Sequence, residues 1–347
     1  MKKNTLTREI SKIIFLLVAI LVLHTIYFIF HTVHAQSVSL SLTPPLVELL
    51  IKPGKSVVIP YTVTNTSDPV VVVPNVTSFS PKGIMGSVSL RREIVGPVRF
   101  NLDNSDITFE NGVFLKTGAR RKFLLKIRVP ENAPSGDYYY TFYIKTDPGP
   151  LFTGKSISKS TVVVGSNILI TISKTYTTEN KGSISSFDLE NSVKLTIFGH
   201  RYNIVDSLSA IPFTMIVKNN GHNYIKPHGE ILVRGPLGTV SKHTIIPVNI
   251  LAGSSRIVPA TPTVSPDCTN HTRLCNVPHS FILKGFFIGK QSLGATILFA
   301  PGASPAYAST SFIAIPYRLM VVIIIIFIVL NVLVVRFHIL SQSKPEL

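Results

Sequence analysis

The chain is poor in the residues and motifs that build catalytic and metal sites. It has no tryptophan, only two cysteines, and 17 Asp and Glu against 34 Lys and Arg. It contains no G-x-S-x-G, no phosphate-binding glycine loop and no H-E-x-x-H, the short signatures of several large enzyme classes. We therefore predict a protein that is not an enzyme and that holds no cofactor and no metal ion. Four histidines lack an acidic neighbour at metal-ligand or catalytic spacing, and we expect them to be solvated in loops: His200, His222, His228 and His243.

The longest run without charge lies near the C-terminus. Residues 319–335 contain Asn331 as their only clearly polar side chain, and Arg318 and Arg336 flank them. At about 1.5 Å per residue such a helix spans roughly 26 Å, close to the thickness of bilayer hydrocarbon, and flanking arginines can reach the headgroups. We predict a transmembrane helix at residues 319–337, with a buried core element as the alternative.

Residues 1–35 have the layout of a secretory signal: basic residues, an apolar run, then small side chains. Val33 and Ala35 predict cleavage before Gln36. The apolar run is longer than most signal cores, so an uncleaved N-terminal anchor is the alternative. Both outcomes export the chain beyond residue 35.

The two apolar segments together predict a topology. The segment behind the apolar run, RFHILSQSKPEL, is short and mildly basic, and we predict residues 338–347 as a cytoplasmic tail. We predict a single-pass protein of the cell membrane whose bulk is extracytoplasmic, so most of the net charge of +17 lies outside the cell. Little nucleic acid is available there, and we predict none as a partner. The charge points to anionic envelope polymers or lipid headgroups, with ordinary solubilising charge as the alternative.

The exported region reads as all-β, because short β-rich runs alternate with Pro, Gly, Asn and Ser. Hydrophobic density falls in residues 174–192, where we place a domain boundary. We predict two tandem immunoglobulin-like β-sandwiches, residues 36–175 and 176–300, and a proline-rich stalk at residues 301–318. The two predicted domains share a weak sequence similarity, since IPYTVTN in the first and IPFTMIVKN in the second are strand patterns that each end in asparagine.

One predicted strand of the first domain is basic on its outer face. Between residues 122 and 129 every second side chain is apolar and would face the core, which leaves basic side chains outside. Exposed tyrosines of the next strand could stack on sugar rings; packing against a loop or the second domain is the alternative. The candidate polymer-binding residues are Arg120, Arg121, Lys122, Lys126, Arg128, Tyr139 and Tyr143.

The two cysteines close a short loop in the exported region. An oxidising compartment favours a disulfide between Cys268 and Cys275. With His271 and His279 they form C-x2-H-x3-C-x3-H, an order that does not match the usual structural zinc sites. We predict the disulfide, with a zinc site or free thiols as the alternatives.

This layout resembles the WxL-interacting proteins of Gram-positive bacteria. The segments SLSLTPPLVELLIKPGKSVVIPYTVTNTS and KFLLKIRVPENAPSGDYYYTFYI look like that family's peptidoglycan-binding domain, and PFTMIVKNNGHNYIKPHGEI is similar to its host-binding domain. The chain departs from the family in the aromatic run at residues 137–140 and in the cysteine loop. The resemblance implies contact with the cell wall and with a protein partner at the surface.

We therefore predict a non-catalytic, membrane-anchored envelope protein that binds cell-wall polysaccharide, another anionic envelope polymer, or a surface protein. The alternative is an extracytoplasmic assembly factor, similar to a chaperone, that pairs a sheet edge with a strand of a client.

Overall fold

The computed structural model describes residues 17, 18, 20, 39–109, 111–147, 161–190, 192–261 and 279–342. The predicted signal segment lies almost wholly outside these residues, and Cys268 and Cys275 lie outside them, so the disulfide stays a prediction. Within the described residues the chain is all-β apart from one 3-10 turn, one long C-terminal helix and the helical residues Leu17, Val18 and Ile20, which confirms the predicted fold class.

In the part of the chain that the structure describes, the first sandwich contains ten strands. They are β1 (Leu40–Thr43), β2 (Leu46–Ile51), β3 (Ser56–Asn65), β4 (Val70–Lys82), β5 (Ser87–Leu90), β6 (Arg99–Leu102), β7 (Val113–Leu115), β8 (Arg120–Arg128), β9 (Gly136–Asp147) and β10 (Val163–Ile172). One sheet has the order β1-β3-β8-β6, and the other has the order β2-β10-β9-β4-β5 with β7 also on β4.

This strand order is that of an immunoglobulin-like sandwich. In the seven-strand form of that fold, the first, second, fourth and fifth strands make one sheet and the other three make the second sheet. The first strand is divided between the sheets: β1 pairs antiparallel with β3, and β2 pairs parallel with β10. The chain changes sheets at Pro44 and Pro45, which have no N–H to donate to either ladder.

The second sandwich repeats this plan with ten more strands. They are β11 (Gly182–Leu189), β12 (Val193–Ile197), β13 (His200–Asp206), β14 (Ile211–Asn219), β15 (His228–Arg234), β16 (Val240–Thr244), β17 (Ser255–Ile257), β18 (Phe281–Leu283), β19 (Gly289–Leu298) and β20 (Ala306–Ile315). One sheet has β11, β14 and β17 in order, with β18 also on β14; the other has the order β12-β13-β20-β19-β15-β16. Again an early strand, β13, runs parallel to the last, β20.

Each sandwich has its own apolar core. In β8 the predicted alternation is correct, since Phe123, Leu125 and Ile127 are fully buried. In the second sandwich Phe213 stacks on Phe281 with the ring centroids 5.1 Å apart. The two cores are separate clusters, so each sandwich buries enough apolar surface to be a domain of its own.

The two asparagines of the predicted internal echo occupy equivalent places. Asn65 ends β3 and Asn219 ends β14, and both are fully buried. The Asn65 Nδ2 donates to backbone carbonyl oxygens at 2.9 to 3.3 Å, those of Asp68, Leu115 and Lys116. The Asn219 Nδ2 donates at 2.8 and 2.9 Å to the carbonyl oxygens of Asn223 and Ile250. Each amide therefore ties the end of one strand to a loop that would otherwise bury unpaired carbonyl groups.

Two strands differ from the sequence prediction. The predicted stalk at residues 301–318 is wrong over most of its length, because β20 occupies residues 306–315 inside a sheet. β11 lies in the segment at residues 174–192 that was predicted to separate the domains. The first sandwich ends at Ile172 and the second begins at Gly182, so the predicted boundary after residue 175 falls between them.

The C-terminal helix α1 (Tyr317–Gln342) follows β20 after a single residue, Pro316. Its stretch Tyr317–Arg336 is long and apolar enough to cross a membrane, and none of it is buried against the sandwiches. An apolar helix exposed in this way is consistent with a membrane span.

Replacing either buried asparagine should weaken its own domain. We expect Asn65→Ala and Asn219→Ala each to lower the free energy of unfolding by about 2–4 kcal/mol, because several buried carbonyl groups lose their donor. Chemical denaturation followed by circular dichroism measures this loss. Asn101→Ala, at an exposed position of β6, is the matched control and should change stability by less than about 0.5 kcal/mol. Equal effects at Asn101 and Asn65 would contradict the role of the buried amides.

Candidate functional site

The sheet β1-β3-β8-β6 turns one face to solvent, and this face is basic. Because side chains alternate along a strand, β8 places its even-numbered residues on the outer face. The neighbouring strand β6 adds an exposed arginine. We call the following side chains the basic face: Arg99, Arg120, Lys122, Lys126 and Arg128.

Two arginines lie directly opposite each other on the basic face. Arg99 of β6 pairs in register with Arg128 of β8, and both are exposed. Like charges at directly opposite positions of an antiparallel pair are destabilising. The fold therefore tolerates a local electrostatic cost at this position.

Few carboxylates neutralise this surface. Lys126 Nζ lies 3.3 Å from Asp103 Oδ1, and Arg121 forms an ion pair with Asp106. In the described part of the first sandwich no carboxylate forms an ion pair with another side chain of the basic face. Arg121 lies at the start of β8, at the alternate position that points to the core side, and its side chain is only partly exposed. It is thus at the edge of the basic face and not part of it.

The predicted tyrosines do not join the predicted cations. Tyr139 and Tyr143 belong to β9, in the opposite sheet of the sandwich. Tyr143 is partly exposed there. Tyr139 lies in the contact with the second domain, which was the alternative prediction for it, and its hydroxyl accepts a hydrogen bond from the Ala252 N–H at 3.0 Å. A single polymer site made of all seven predicted residues is therefore wrong.

A carboxylate at the start of β9 organises the contact between the domains. Asp137 Oδ1 accepts hydrogen bonds from Thr171 Oγ1 and from Asn223 Nδ2, both at 2.7 Å. Its Oδ2 accepts from the Tyr139 hydroxyl at 3.0 Å and from the Tyr224 N–H. Thr171 and Tyr139 belong to the first domain and the other two donors to the second, so one carboxylate joins both.

Apolar contacts surround this carboxylate. Phe79 and Leu169 of the first domain form a small buried cluster with Leu251 of the second. The Phe79 and Tyr139 rings stack with centroids 5.8 Å apart. Burial, reinforced by the Asp137 charge, raises the pKa of Tyr139, so its hydroxyl stays protonated and able to donate.

Polar contacts continue at the edge of this interface. Lys226 Nζ lies 3.0 Å from both carboxylate oxygens of Glu48, and the Ile257 N–H donates to the Ile84 carbonyl at 2.8 Å. Burial, with the nearby Glu48 and Asp137 charges, raises the pKa of Tyr224 to about 12. The two domains are therefore joined by hydrogen bonds, an ion pair and apolar packing.

A cleft of about 380 Å³ opens beside this interface. Its walls include Phe79, Leu169 and Leu251, with Lys226 and Arg256 at its polar side. Arg256 donates to the Asn249 carbonyl at 2.7 Å, and partial burial lowers the pKa of its guanidinium group. Both cations already have partners within the protein, and the cleft offers polar as well as apolar surface.

The histidines give no sign of a metal site. His222 is exposed, as predicted for a loop histidine. His243 is buried, and the prediction that it is solvated is wrong: its Nδ1 lies 2.8 Å from the Thr261 carbonyl and its ring packs on Phe281. Among the residues that the structure describes, no three His, Cys, Asp or Glu side chains are grouped so that they could hold a metal ion.

Sequence reasoning placed Tyr139 at the interface only as an alternative, and it missed the other interface residues because their signal is non-local. Asp137 and Tyr139 belong to the run that departs from the pattern of WxL-interacting proteins, and that departure was the one available sign. Their partners Asn223, Tyr224 and Ala252 lie more than eighty residues away in the chain.

No protein-family model and no curated protein matches this chain. Among solved structures, it is similar to the class 5 fimbriae chaperone CfaA, at 12% identity over 80% of this chain and 100% of that chain with a TM-score of 0.34. It is also similar to the E. coli chaperone DraB, at 14% identity over 81% and 98% with a TM-score of 0.35. A third is the Pseudomonas aeruginosa CupB2 chaperone, at 10% identity over 79% and 100% with a TM-score of 0.31.

These TM-scores are low. The immunoglobulin-like assignment therefore rests on the strand order, and the resemblance to WxL-interacting proteins stays a prediction.

Removing the Asp137 carboxylate should weaken the contact between the two domains without unfolding either domain. In Asp137→Ala we expect trypsin to cut the interdomain segment at Lys174 and Lys181 about tenfold faster, because its protection depends on the interface. The products should be two fragments that resist further cleavage. Asp103→Ala, which removes an exposed carboxylate of the same domain, should be cut at the wild-type rate. An unchanged rate in Asp137→Ala would contradict its joining role.

Proposed function

We propose that this chain is a non-catalytic, single-pass membrane protein that binds an anionic polymer of the cell envelope on the basic face of its first domain. The observation that carries the proposal is the Arg99 and Arg128 pair. Two like charges in direct register cost stability, and a bound anion between them would remove that cost. Charge that served solubility alone would not need to be concentrated at one register position.

The shape of the surface supports a polymer rather than a small ligand. The basic face is the flat side of a sheet, and successive outward residues of β8 lie about 7 Å apart. Small hydroxyl side chains of β3, such as Ser56 and Thr62, stand beside the cations. A chain with repeating negative charge can contact several cations at once, so weak contacts add up.

The C-terminal helix supports the membrane location. It is apolar along the stretch Tyr317–Arg336 and does not pack on the sandwiches. Together with the predicted signal segment at residues 1–35, it supports a topology with both sandwiches outside the cell and residues 338–347 in the cytoplasm. The resemblance to WxL-interacting proteins points to the same location, and to a surface protein as a further partner.

Charge reversal on the basic face should abolish most of the polymer binding. We expect Lys122→Glu/Arg128→Glu to weaken binding of the full chain to poly(glycerol phosphate) about tenfold to thirtyfold, at roughly 1 kcal/mol for each cation removed. Sedimentation with immobilised polymer over a salt series measures this, and the wild-type affinity should fall as salt rises.

The matched control is Lys82→Glu/Lys116→Glu, which makes the same change in net charge on or beside strands of the opposite sheet. It should bind like the wild type.

The single variant Arg128→Gln distinguishes a binding role of the arginine pair from a role in solubility alone. We expect weaker polymer binding, together with a gain in stability of about 0.2–1 kcal/mol because the repulsion between Arg99 and Arg128 is removed. Equal loss in both double variants, or no salt dependence, would contradict the proposal.

A sheet edge that is only partly paired favours a second candidate function, strand pairing with a client protein. β20 pairs with β19 along most of its length, but with β13 only from Ile313 to Ile315, and the Ser311 carbonyl accepts a hydrogen bond from Asn203 Nδ2 at 3.2 Å. The rest of that edge, from Ala306 to Thr310, contains no charge and no proline that would protect it. Its Tyr307 is 72% exposed.

A photo-reactive amino acid at Tyr307 tests this second function in intact envelopes. If a client strand pairs with β20, we expect a protein adduct at Tyr307 whose yield is unchanged by Lys122→Glu/Arg128→Glu. The same label at Phe198, a fully exposed hairpin tip, is the control and should give no such adduct. Equal yields at the two positions would rule out specific strand pairing.

A further inference from the structure

We propose that the end of the second sandwich next to α1 rests in the membrane interface, with three exposed apolar side chains inserted among the lipid headgroups. The three are Leu208, Phe286 and Ile288, and we call them the apolar tips. The inference rests on the proposed role of α1 as a membrane anchor. It adds a second, peripheral contact between the folded domain and the bilayer.

The junction between the sandwich and the helix is short and fixed. Asp206 ends β13 opposite Ile315 of β20, and its side chain is 1% exposed. Its Oδ1 accepts the Arg318 N–H at 3.3 Å. The first N–H groups of a helix have no partner within the helix, and a carboxylate there is favoured by the helix dipole. Asp206 therefore caps α1 from within the second domain.

The same aspartate shapes the first apolar tip. The Ser209 N–H donates to the Asp206 carbonyl at 3.1 Å, which closes a turn. The Leu208 N–H donates to Asp206 Oδ2 at 3.4 Å. Leu208 stands at the top of this turn with 60% of its surface exposed. A turn held by these contacts presents the leucine to its surroundings instead of letting it fold back onto the core.

The loop between β18 and β19 presents the other two tips. Its Phe287 points inward, with its ring edge-on to Phe312 at a centroid distance of 6.2 Å, and its N–H donates to the Ser207 carbonyl at 3.2 Å. The residues on either side, Phe286 and Ile288, point outward and are 56% and 54% exposed. The contact with Ser207 also places this loop beside the Leu208 turn.

A bilayer is the occupant that fits this surface. The tips lie around the point where α1 begins, so a membrane entered by α1 lies directly beside them. Burying the tips among lipids removes apolar surface from water, which is favourable. Lys284 and Lys290 lie at the ends of the same loop and Arg318 lies in the first turn of α1, all three exposed, which suits anionic headgroups. Tyr317, 41% exposed, adds an aromatic ring of the kind enriched at membrane interfaces.

The absence of tryptophan allows a direct test, because any tryptophan introduced is the only one in the chain. The full-length protein is reconstituted in vesicles of zwitterionic and anionic phospholipid. The fluorescence of the single tryptophan is then quenched with brominated lipids or with aqueous iodide. In Phe286→Trp we expect a blue-shifted emission, quenching by lipids brominated close to the headgroups, and protection from iodide. The introduced tryptophan should lie about 5–10 Å below the membrane surface, as interfacial apolar side chains do.

Two further single variants make the outcomes separable. Phe198→Trp lies at the far end of β13, about 20 Å from Asp206 along the strand, and should be quenched by iodide alone. Phe327→Trp lies in the middle of α1 and should be quenched by lipids brominated deep in the bilayer. If Phe286→Trp behaves like Phe198→Trp while Phe327→Trp is quenched by lipid, the inference is wrong and the anchor stands. If Phe327→Trp is not quenched by lipid, the anchor itself is wrong.

Discussion

The contact between the two domains centres on one hydrogen-bond chain that runs from the first domain into the core of the second. Asp137 of the first domain holds Asn223 of the second, and the Asn223 carbonyl accepts a hydrogen bond from Asn219, the buried amide that ends β14. The interface is therefore tied to a core element of the second sandwich and not only to a surface loop. A carboxylate in this position has donors on both oxygens, which offsets the cost of removing it from water.

The sequence predicted what local patterns determine. The alternation in β8 correctly identified the buried side chains Phe123, Leu125 and Ile127, and the shared strand pattern identified Asn65 and Asn219 as related positions. It failed where pairing partners decide the structure. The first half of β20 mixes strand formers, Tyr307 and Thr310, with alanine and serine, and it is a strand because β19 pairs with it along nearly its whole length. In β11 a bulge between Ile184 and Ser186 breaks the period of two.

In the candidate site, too, local patterns could be predicted from the sequence and strand pairing could not. The cations of β8 could be assigned to an outer face from their spacing alone. Their opposition to Arg99, and the separation of Tyr139 from them, could not, because both depend on which strands are neighbours. The result is a molecule with distinct surfaces: the basic face on one sheet of the first domain, the interdomain contact on the other sheet, and the apolar tips at the base of the second domain.

The direct passage from β20 through Pro316 into α1 also decides how the protein bears force. A pull on a membrane-anchored helix is transmitted along the axis of β20, which lies inside its sheet between β13 and β19. The hydrogen bonds to β19 run across this direction, so they are loaded together in shear and cannot be opened one after another as in an unzipping hairpin. If α1 is anchored in a membrane as proposed, the last strand of the second sandwich would resist such a pull as a mechanical clamp.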